Sequence, residues 1–273
     1  MGALLTRRMA LALGGAALVT PAWADGIQLR SLGVAEPPQG IVLPPSSGGF
    51  PDPHRDRVAT APVHFAAAAS PQTLTTLTIS AGLTNGFLLA GIVLTTTATI
   101  GAVTWGAQTL TAIGSQTNGT ATAYLYGLVN PTAGAQTLSV AFTGTASGNI
   151  FATSYRNINQ STPTYGFAQA TATGTAIAVS VVSNPADVCV DCVSAIGQVS
   201  APTKTRLVMD NAGTWGFGMS ESTGAASVPF AWTNSTSSAW VDIACALKDG
   251  GATCSNSLDF TQACNSQYIG AIL

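Results

Sequence analysis

The feature that most limits the fold is an alternation of side-chain character in short extended runs, cut apart by turn-forming residues. Leu138, Val140 and Phe142 alternate with Ser139, Ala141 and Thr143, so one side of this segment is apolar and the other is not. Tyr124, Tyr126 and Leu128 alternate with Ala123, Leu125 and Val129. The two runs are joined by Asn130-Pro131-Thr132-Ala133-Gly134, in which proline presets φ and glycine supplies a positive φ. Trp105-Gly106-Ala107-Gln108 marks a further bend between Val103 and Leu110, where a bulky ring sits beside a residue that permits close backbone approach.

The same texture extends along the chain. Apolar or alternating runs occupy 74–79, 87–94, 100–105, 121–129, 136–142, 150–155, 177–182, 188–193, 227–232 and 240–247, with Gly, Pro, Asn or Ser between them and no helical period in any. This spacing predicts an all-β antiparallel sandwich of about ten strands. Pro229 cannot donate to a ladder and places its run at a sheet edge. Val241, Ile243, Cys245 and Leu247 form the last inward row.

Charged residues make up 7% of the chain, against about a quarter in an average domain. Between Ala66 and Leu247 they are Arg156, Lys204, Arg206, Asp187, Asp191, Asp210, Glu221 and Asp242. The exterior is therefore expected to be Thr, Ser, Ala, Gly, Asn and Gln. Disorder goes with low hydrophobicity and high net charge, whereas here the mean hydropathy is +0.36 and the net charge is -2. A packed chain is favoured, and a length of 273 residues is enough for a self-sufficient core. Without a basic patch, neither nucleic acid nor an anionic membrane surface is an expected partner.

The N-terminus has the make-up of a leader. Arg7 and Arg8 precede an apolar run from Met9 to Val19, then Thr20-Pro21 and Ala22-Trp23-Ala24 before Asp25. This is the pattern of a secretory signal peptide, and the run is too short to cross about 30 Å of hydrocarbon. Arg7-Arg8 partly matches a twin-arginine leader, though Ala10-Leu11-Ala12 lacks the usual aromatic. Ordinary Sec export is the preferred reading, with no transmembrane span in the mature chain. Residues 25–63 hold Pro37, Pro38, Pro44, Pro45, Pro51 and Pro53 around Ser46-Ser47-Gly48-Gly49, the composition of an extended tether or assembly arm. His54 among Asp52, Asp56, Arg55 and Arg57 invites a metal, but a solvated linker end explains it and no metal is predicted. The expected organisation is 1–24 leader, cleaved or retained, 25–63 arm, 64–248 sandwich and 249–273 C-terminal tail.

The runs VTWGAQTL from Val103, LYGLVNPTAGAQTLSVAF from Leu125 and SYRNINQSTP at Ser154 to Pro163 resemble β-sandwich domains of jelly-roll or immunoglobulin-like type. Such domains recur in bacterial secreted proteins and phage virion proteins. The resemblance covers roughly 64–248 and implies a fold, with jelly-roll preferred to immunoglobulin topology. It implies no particular activity, because the matching residues are turn formers and core positions.

Cys189 and Cys192 form a CVDC sequence. Residues three apart in a strand point to opposite faces, while a redox pair wants a helix N-terminus and a structural zinc site a second pair, so structural cysteines are expected. Asp187 and Asp191 share a face, which solvent exposure accounts for. Cys254 and Cys264 bracket a short tail segment, and export favours disulfides. A Cys254–Cys264 bond is predicted, with Cys245 a buried thiol or a partner of Cys189 or Cys192.

For chemistry, the two histidines, His54 and His64, sit in the arm and at its end, away from any nucleophile a base could serve. The chain contains no GxSxG, HExxH, phosphate loop or dinucleotide fingerprint, and no cofactor is predicted. A glycosidase-type acid pair would have to come from residues such as Asp210 and Glu221. For binding, Trp215 in Asn211-Ala212-Gly213-Thr214-Trp215-Gly216, with Tyr124 and Tyr126, are the candidates, since aromatic faces beside polar groups hold sugars. The expected function is that of an exported, non-catalytic module at a cell surface, in the periplasm or in an extracellular assembly. Its role would be structural, adhesive or carbohydrate-binding, with neutral glycans or copies of itself as partners. The alternatives are a virion head-decoration or fibre protein and, third, a carbohydrate-active enzyme.

Overall fold

The computed structural model describes residues 54–55 and 62–251, all within the unit Gly48–Leu273. The expected leader at 1–24, most of the expected arm, and the tail beyond Gly251 with the expected Cys254–Cys264 bond lie outside the described residues.

The chain is all β. In order its strands are β1 His54–Arg55, β2 Val63–Ala69, β3 Gln72–Leu74, β4 Thr78–Ile79, β5 Phe87–Leu94, β6 Ile100–Trp105, β7 Gln108–Thr109, β8 Thr111–Asn118 and β9 Ala121–Val129. They continue with β10 Gly134–Ala135, β11 Leu138–Phe142, β12 Thr145–Arg156, β13 Thr164–Val181, β14 Val188–Ile196, β15 Val199–Ser200, β16 Thr205–Ala212, β17 Trp215–Thr223 and β18 Val228–Leu247. Among the described residues no helix is long and apolar enough to cross a membrane.

These strands stack in layers, every pairing antiparallel. The first layer is β3-β11-β6-β7 with the small pair β10-β4. The second is β1-β12-β5-β9-β8, with β2 also on β12. The third is β13-β18-β14-β17-β16, with β15 on β18.

The middle sheet is apolar on both faces, which a simple two-layer sandwich is not. All eight residues of β5 are buried. Leu88, Ala90, Ile92 and Leu94 join Trp105, Leu138 and Val140 in one core. Phe87, Leu89 and Val93 join Phe151, Val190, Met219 and Ile243 in another. Alternation is therefore lost in Phe87–Leu94 because both sides need apolar groups. The expected sandwich is present as an all-β stack of sheets, with eighteen strands among the described residues where about ten were expected.

The third layer covers its own outer face. β13 and β18 form a long antiparallel ladder whose register slips between Gly174 and Ala176, with Gly174 opposite Ser238 and Ala176 opposite Thr233. Beyond the slip, Ala176–Val181 and Val228–Thr233 form a ribbon whose Ile177, Val179, Val181, Phe230 and Trp232 pack on the sheet's other side. Trp240, Ala244 and Ala246 of β18 meet them there, while Val241, Ile243 and Cys245 face the middle sheet. At Pro229 the ladder runs to β13 alone, since β15 reaches only Thr233 and Asn234, the edge position expected of it.

Structural cysteines at 189 and 192 and a buried thiol at Cys245 are what the fold shows, and the expectation of a disulfide needs correction. Cys189, Cys192 and Cys245 are free and buried, so no disulfide exists among the described residues. Cys189 belongs to the ribbon-side core, while Cys192 and Cys245 belong to the core under the middle sheet. Cys192 stands opposite Ile243, and Cys245 opposite Val190. That diagonal offset is about 7–8 Å between strands, against about 4 Å between the Cβ atoms of a disulfide. Burial pushes all three thiols up, which suits core residues rather than reactive ones.

Candidate functional site

The acids identify the candidate sites, because a chain with so few charges places each one conspicuously. At the seam between the second and third layers, Arg55 of β1 lies 2.6 Å from Glu221 of β17. The hydroxyl of Tyr155 on β12 donates to the other carboxylate oxygen of Glu221 at 3.0 Å. Tyr155 is fully buried, and burial followed by the Glu221 charge pushes its phenol far up. Arg55 is thus held by Glu221 of the third layer, which is itself fixed by Tyr155 of the second. Substituting Arg55→Met is expected to lower stability by about 1–2 kcal/mol, the scale of a charge-assisted hydrogen bond at a partly exposed site. Urea midpoints check this, and adding Glu221→Gln to Arg55→Met should cost less than Glu221→Gln alone.

His64 of β2 lies 3.7 Å from Asp210 of β16 at the same seam. Asp210 and Glu221 do not form an acid pair. Asp210 stands opposite Phe217 and Glu221 opposite Thr205, so about 13 Å of strand separates them. A glycosidase pair needs about 5–9.5 Å.

Asp187 and Asp191 are not solvent-facing, contrary to expectation; their exposures are 3% and 0%. Asp187 accepts from the Tyr165 hydroxyl and from the backbone N–H groups of Asn184 and Asp249. These contacts close the turn after the ribbon onto the end of β18. The Tyr165 phenol is pushed up to about 12, first by burial and then by its bond to Asp187.

Asp191 forms part of the most unusual cluster in the molecule. It sits on the ribbon side of β14, opposite Ser220 of β17 and Ala244 of β18. Its Oδ1 accepts from the backbone N–H of Ser220 at 2.5 Å and from the Ser220 hydroxyl at 2.8 Å. Its Oδ2 accepts from the Trp232 indole N–H at 2.7 Å. Asp242, opposite Val193, is one diagonal step away on the same face and has 0% exposure. Among the described residues neither of its carboxyl oxygens meets a donor in hydrogen-bonding geometry, and the Ile243 backbone N–H lends it electrostatic support. Trp240, two residues before it, has a buried indole N–H with no acceptor among the described residues.

The two carboxyls differ in electrostatics for a visible reason. Burial lifts Asp191 to about 7, held down by its bonds to Trp232 and Ser220. Burial and then the neighbouring Asp191 charge lift Asp242 well beyond the carboxylate range. When one charge is present it therefore belongs on Asp191, with Asp242 protonated.

Gly218 makes this arrangement feasible. It faces the ribbon beside Asp191, and a Cβ there would stand 2.6 Å from the Trp232 ring. The indole lies over the bare backbone and so reaches Asp191. The Gly218→Ala variant is expected to lose about 1–3 kcal/mol by overpacking and to change the near-ultraviolet circular dichroism of the displaced indole.

The sequence-selected aromatics are not brought together. Tyr124 and Tyr126 are partly buried and pack against the first-layer core, on the face of the middle sheet away from the third layer. Burial raises both phenols. Trp215 belongs to the third layer, partly buried at the start of β17. It follows a two-residue turn in which Gly213 takes φ +60 and Ala212 pairs with Trp215, so its supposed loop is a hairpin. An open hollow of about 220 Å³ among the described residues is lined by Ser80, Gly82, Leu83, Gly86, Asn130, Pro131 and Ala133, with no ionisable group. No group of acids, histidines and cysteines suited to a metal occurs among the described residues.

Sequence reasoning missed the Asp191–Asp242 pair, although a signal was available. Both acids stand inside apolar runs, Val188-Cys189-Val190-Asp191-Cys192-Val193 and Trp240-Val241-Asp242-Ile243-Ala244-Cys245. In a strand whose neighbours on both faces are core residues, an acid is carried inside with them. No family model, no curated protein and no solved structure matches this chain.

Proposed function

We propose that the protein is an exported, non-catalytic β-sandwich module with a structural role in an extracellular or cell-surface assembly. One observation carries this reading: every acid of the strand stack is buried or engaged by a group of the same chain. Asp187, Asp191 and Asp242 are buried, Glu221 is held by Arg55 and Tyr155, and Asp210 faces His64. Among the described residues the outward surface is left mainly to small neutral side chains, with Arg156 and Arg206 exposed and Lys204, Lys248 and Asp249 partly so. A surface of that kind suits packing against copies of itself, because association then needs no removal of charge from water. Sedimentation of the full chain over a hundredfold concentration range tests this. Self-association should grow with concentration and change little between 50 and 500 mM salt. A monomer at all concentrations, or turnover of a glycoside, ester or peptide substrate, would overturn it. Of the named topologies, a jelly-roll is the one this reading adopts, and a virion head-decoration or fibre protein is its alternative setting.

A second reading is favoured by Tyr124 and Tyr126, which stand two apart on one face of β9 with Ser115 of β8 opposite Tyr124. Paired half-buried rings beside a hydroxyl suit the apolar face of a neutral sugar. Glycan binding that disappears in Tyr124→Ala and Tyr126→Ala, and persists in Trp215→Ala, would establish adhesion through this platform.

A further inference from the structure

The ribbon over the third layer is fastened by unequal means. Its side chains meet the sheet through apolar groups: Ile177, Val179, Val181, Val228 and Phe230 pack on Cys189, Val193, Ala195, Ala244 and Ala246. Along one edge the backbone is tied as well, with Thr233 opposite Ser200 of β15 and Ala231 donating to the Thr203 hydroxyl and accepting from the Thr203 N–H. Among the described residues the one hydrogen bond that a ribbon side chain makes to the sheet is the Trp232 indole to Asp191 at 2.7 Å. At the bend the ladder is interrupted, and Asn234 ties it with bonds to the Gly174 carbonyl and the Ser238 hydroxyl. The ribbon therefore has a bend at one end, a polar pin in its middle, and an unpartnered carboxyl, Asp242, beside the pin.

We propose that the ribbon is a proton-controlled latch: it stays closed while the Asp191–Asp242 pair retains one proton, and it lifts from the sheet when both carboxyls are ionised. Two anions one diagonal step apart repel each other. Only Asp191 has donors to stabilise its charge, and no Lys, Arg or His contacts either carboxyl among the described residues. Lifting the ribbon is the way for water to reach Asp242, because the other face of the sheet lies under the middle layer.

The remaining titratable groups around the pair do not compete. The packing side chains of the ribbon contain none. On the sheet's ribbon side stand Cys189, with Lys204 near it, and Arg206 opposite Ser220, neither cation forming an ion pair with Asp191 or Asp242 among the described residues. On its reverse stand Cys192 and Cys245, and burial keeps all three thiols neutral. From β13, Tyr165 faces this core with its hydroxyl on Asp187. Glu221 points to the opposite side, to Arg55 and Tyr155. The carboxyl pair is thus the switch between neutral and alkaline pH.

Segment-resolved hydrogen exchange on the full chain, corrected for the intrinsic pH dependence of exchange, tests the latch. Between pH 6 and pH 10, protection of the 176–181 and 228–233 amides should fall at least tenfold, while 87–94 keeps its protection. In Asp242→Asn, with one ionisable group left, the fall should vanish. Should that variant not fold, Trp232→Phe keeps both carboxyls without the pin and should expose the ribbon amides at both pH values. Ribbon protection that is flat with pH in the wild type would overturn the proposal, as would an equal fall in Asp242→Asn. So would simultaneous loss of protection in the ribbon and in 87–94.

Discussion

Leu88→Ala and Leu89→Ala, made singly, should each lower the unfolding free energy by about 2–5 kcal/mol, the range for deleting a buried leucine side chain. Neighbours in a strand point to opposite faces, so in a strand with one wet side the second substitution would change stability by about 0.5 kcal/mol or less. Here Leu88 packs towards Trp105, Leu138 and Val140, and Leu89 towards Phe151, Met219 and Ile243. Both have zero exposure. Comparable losses at the two positions, read from urea midpoints, are the signature of a sheet sealed on both faces. A near-neutral result at either one would mean that a layer is misplaced.

That arrangement also explains what the sequence revealed and what it concealed. The bounds of β5, β6 and β9 coincide with runs picked out by apolarity and alternation. β8 was invisible because its residues, Thr111 to Asn118, lie at a sheet edge with small or polar groups on both sides. β17 was hidden by Gly216 and Gly218, which break the apolar rhythm of Phe217 and Met219; the bareness at Gly218 admits an indole from the ribbon. Ser227–Trp232 and Trp240–Leu247 looked like two strands, and are two arms of the single bent β18. Layer number is harder to read, since alternation tells inside from outside only where there is an outside. For the candidate site, the identity of the acids was legible but their depth was not. Asp191 and Asp242 were paired by the register of β14 on β18, a contact between residues about fifty apart in the chain.

Those two acids should give the protein a stability profile that declines as pH rises. A carboxyl whose folded value exceeds its unfolded one binds its proton more tightly in the native state, so its contribution is complete below the unfolded value and is lost as pH climbs through the folded one. Asp191 moves from 3.8 to about 7 on folding, and the loss across that window is about 4 kcal/mol. Asp242 is shifted in the same direction by burial and by Asp191, which extends the decline above pH 7. Urea unfolding at pH 4.5, 6, 7.5 and 9 should show falling midpoints, the reverse of ordinary acid denaturation. Asp191→Asn separates charge from hydrogen bonding. Its NH2 group cannot accept a hydrogen bond, whereas both oxygens of the carboxyl keep acceptor capacity even when protonated, so the variant should be less stable than wild type at pH 4.5 by about 1–3 kcal/mol. At pH 9 it carries one buried charge fewer, and the gap should close or reverse. Two curves that stay parallel from pH 4.5 to 9 would mean that Asp191 does not titrate in the folded chain, whether or not the ribbon opens.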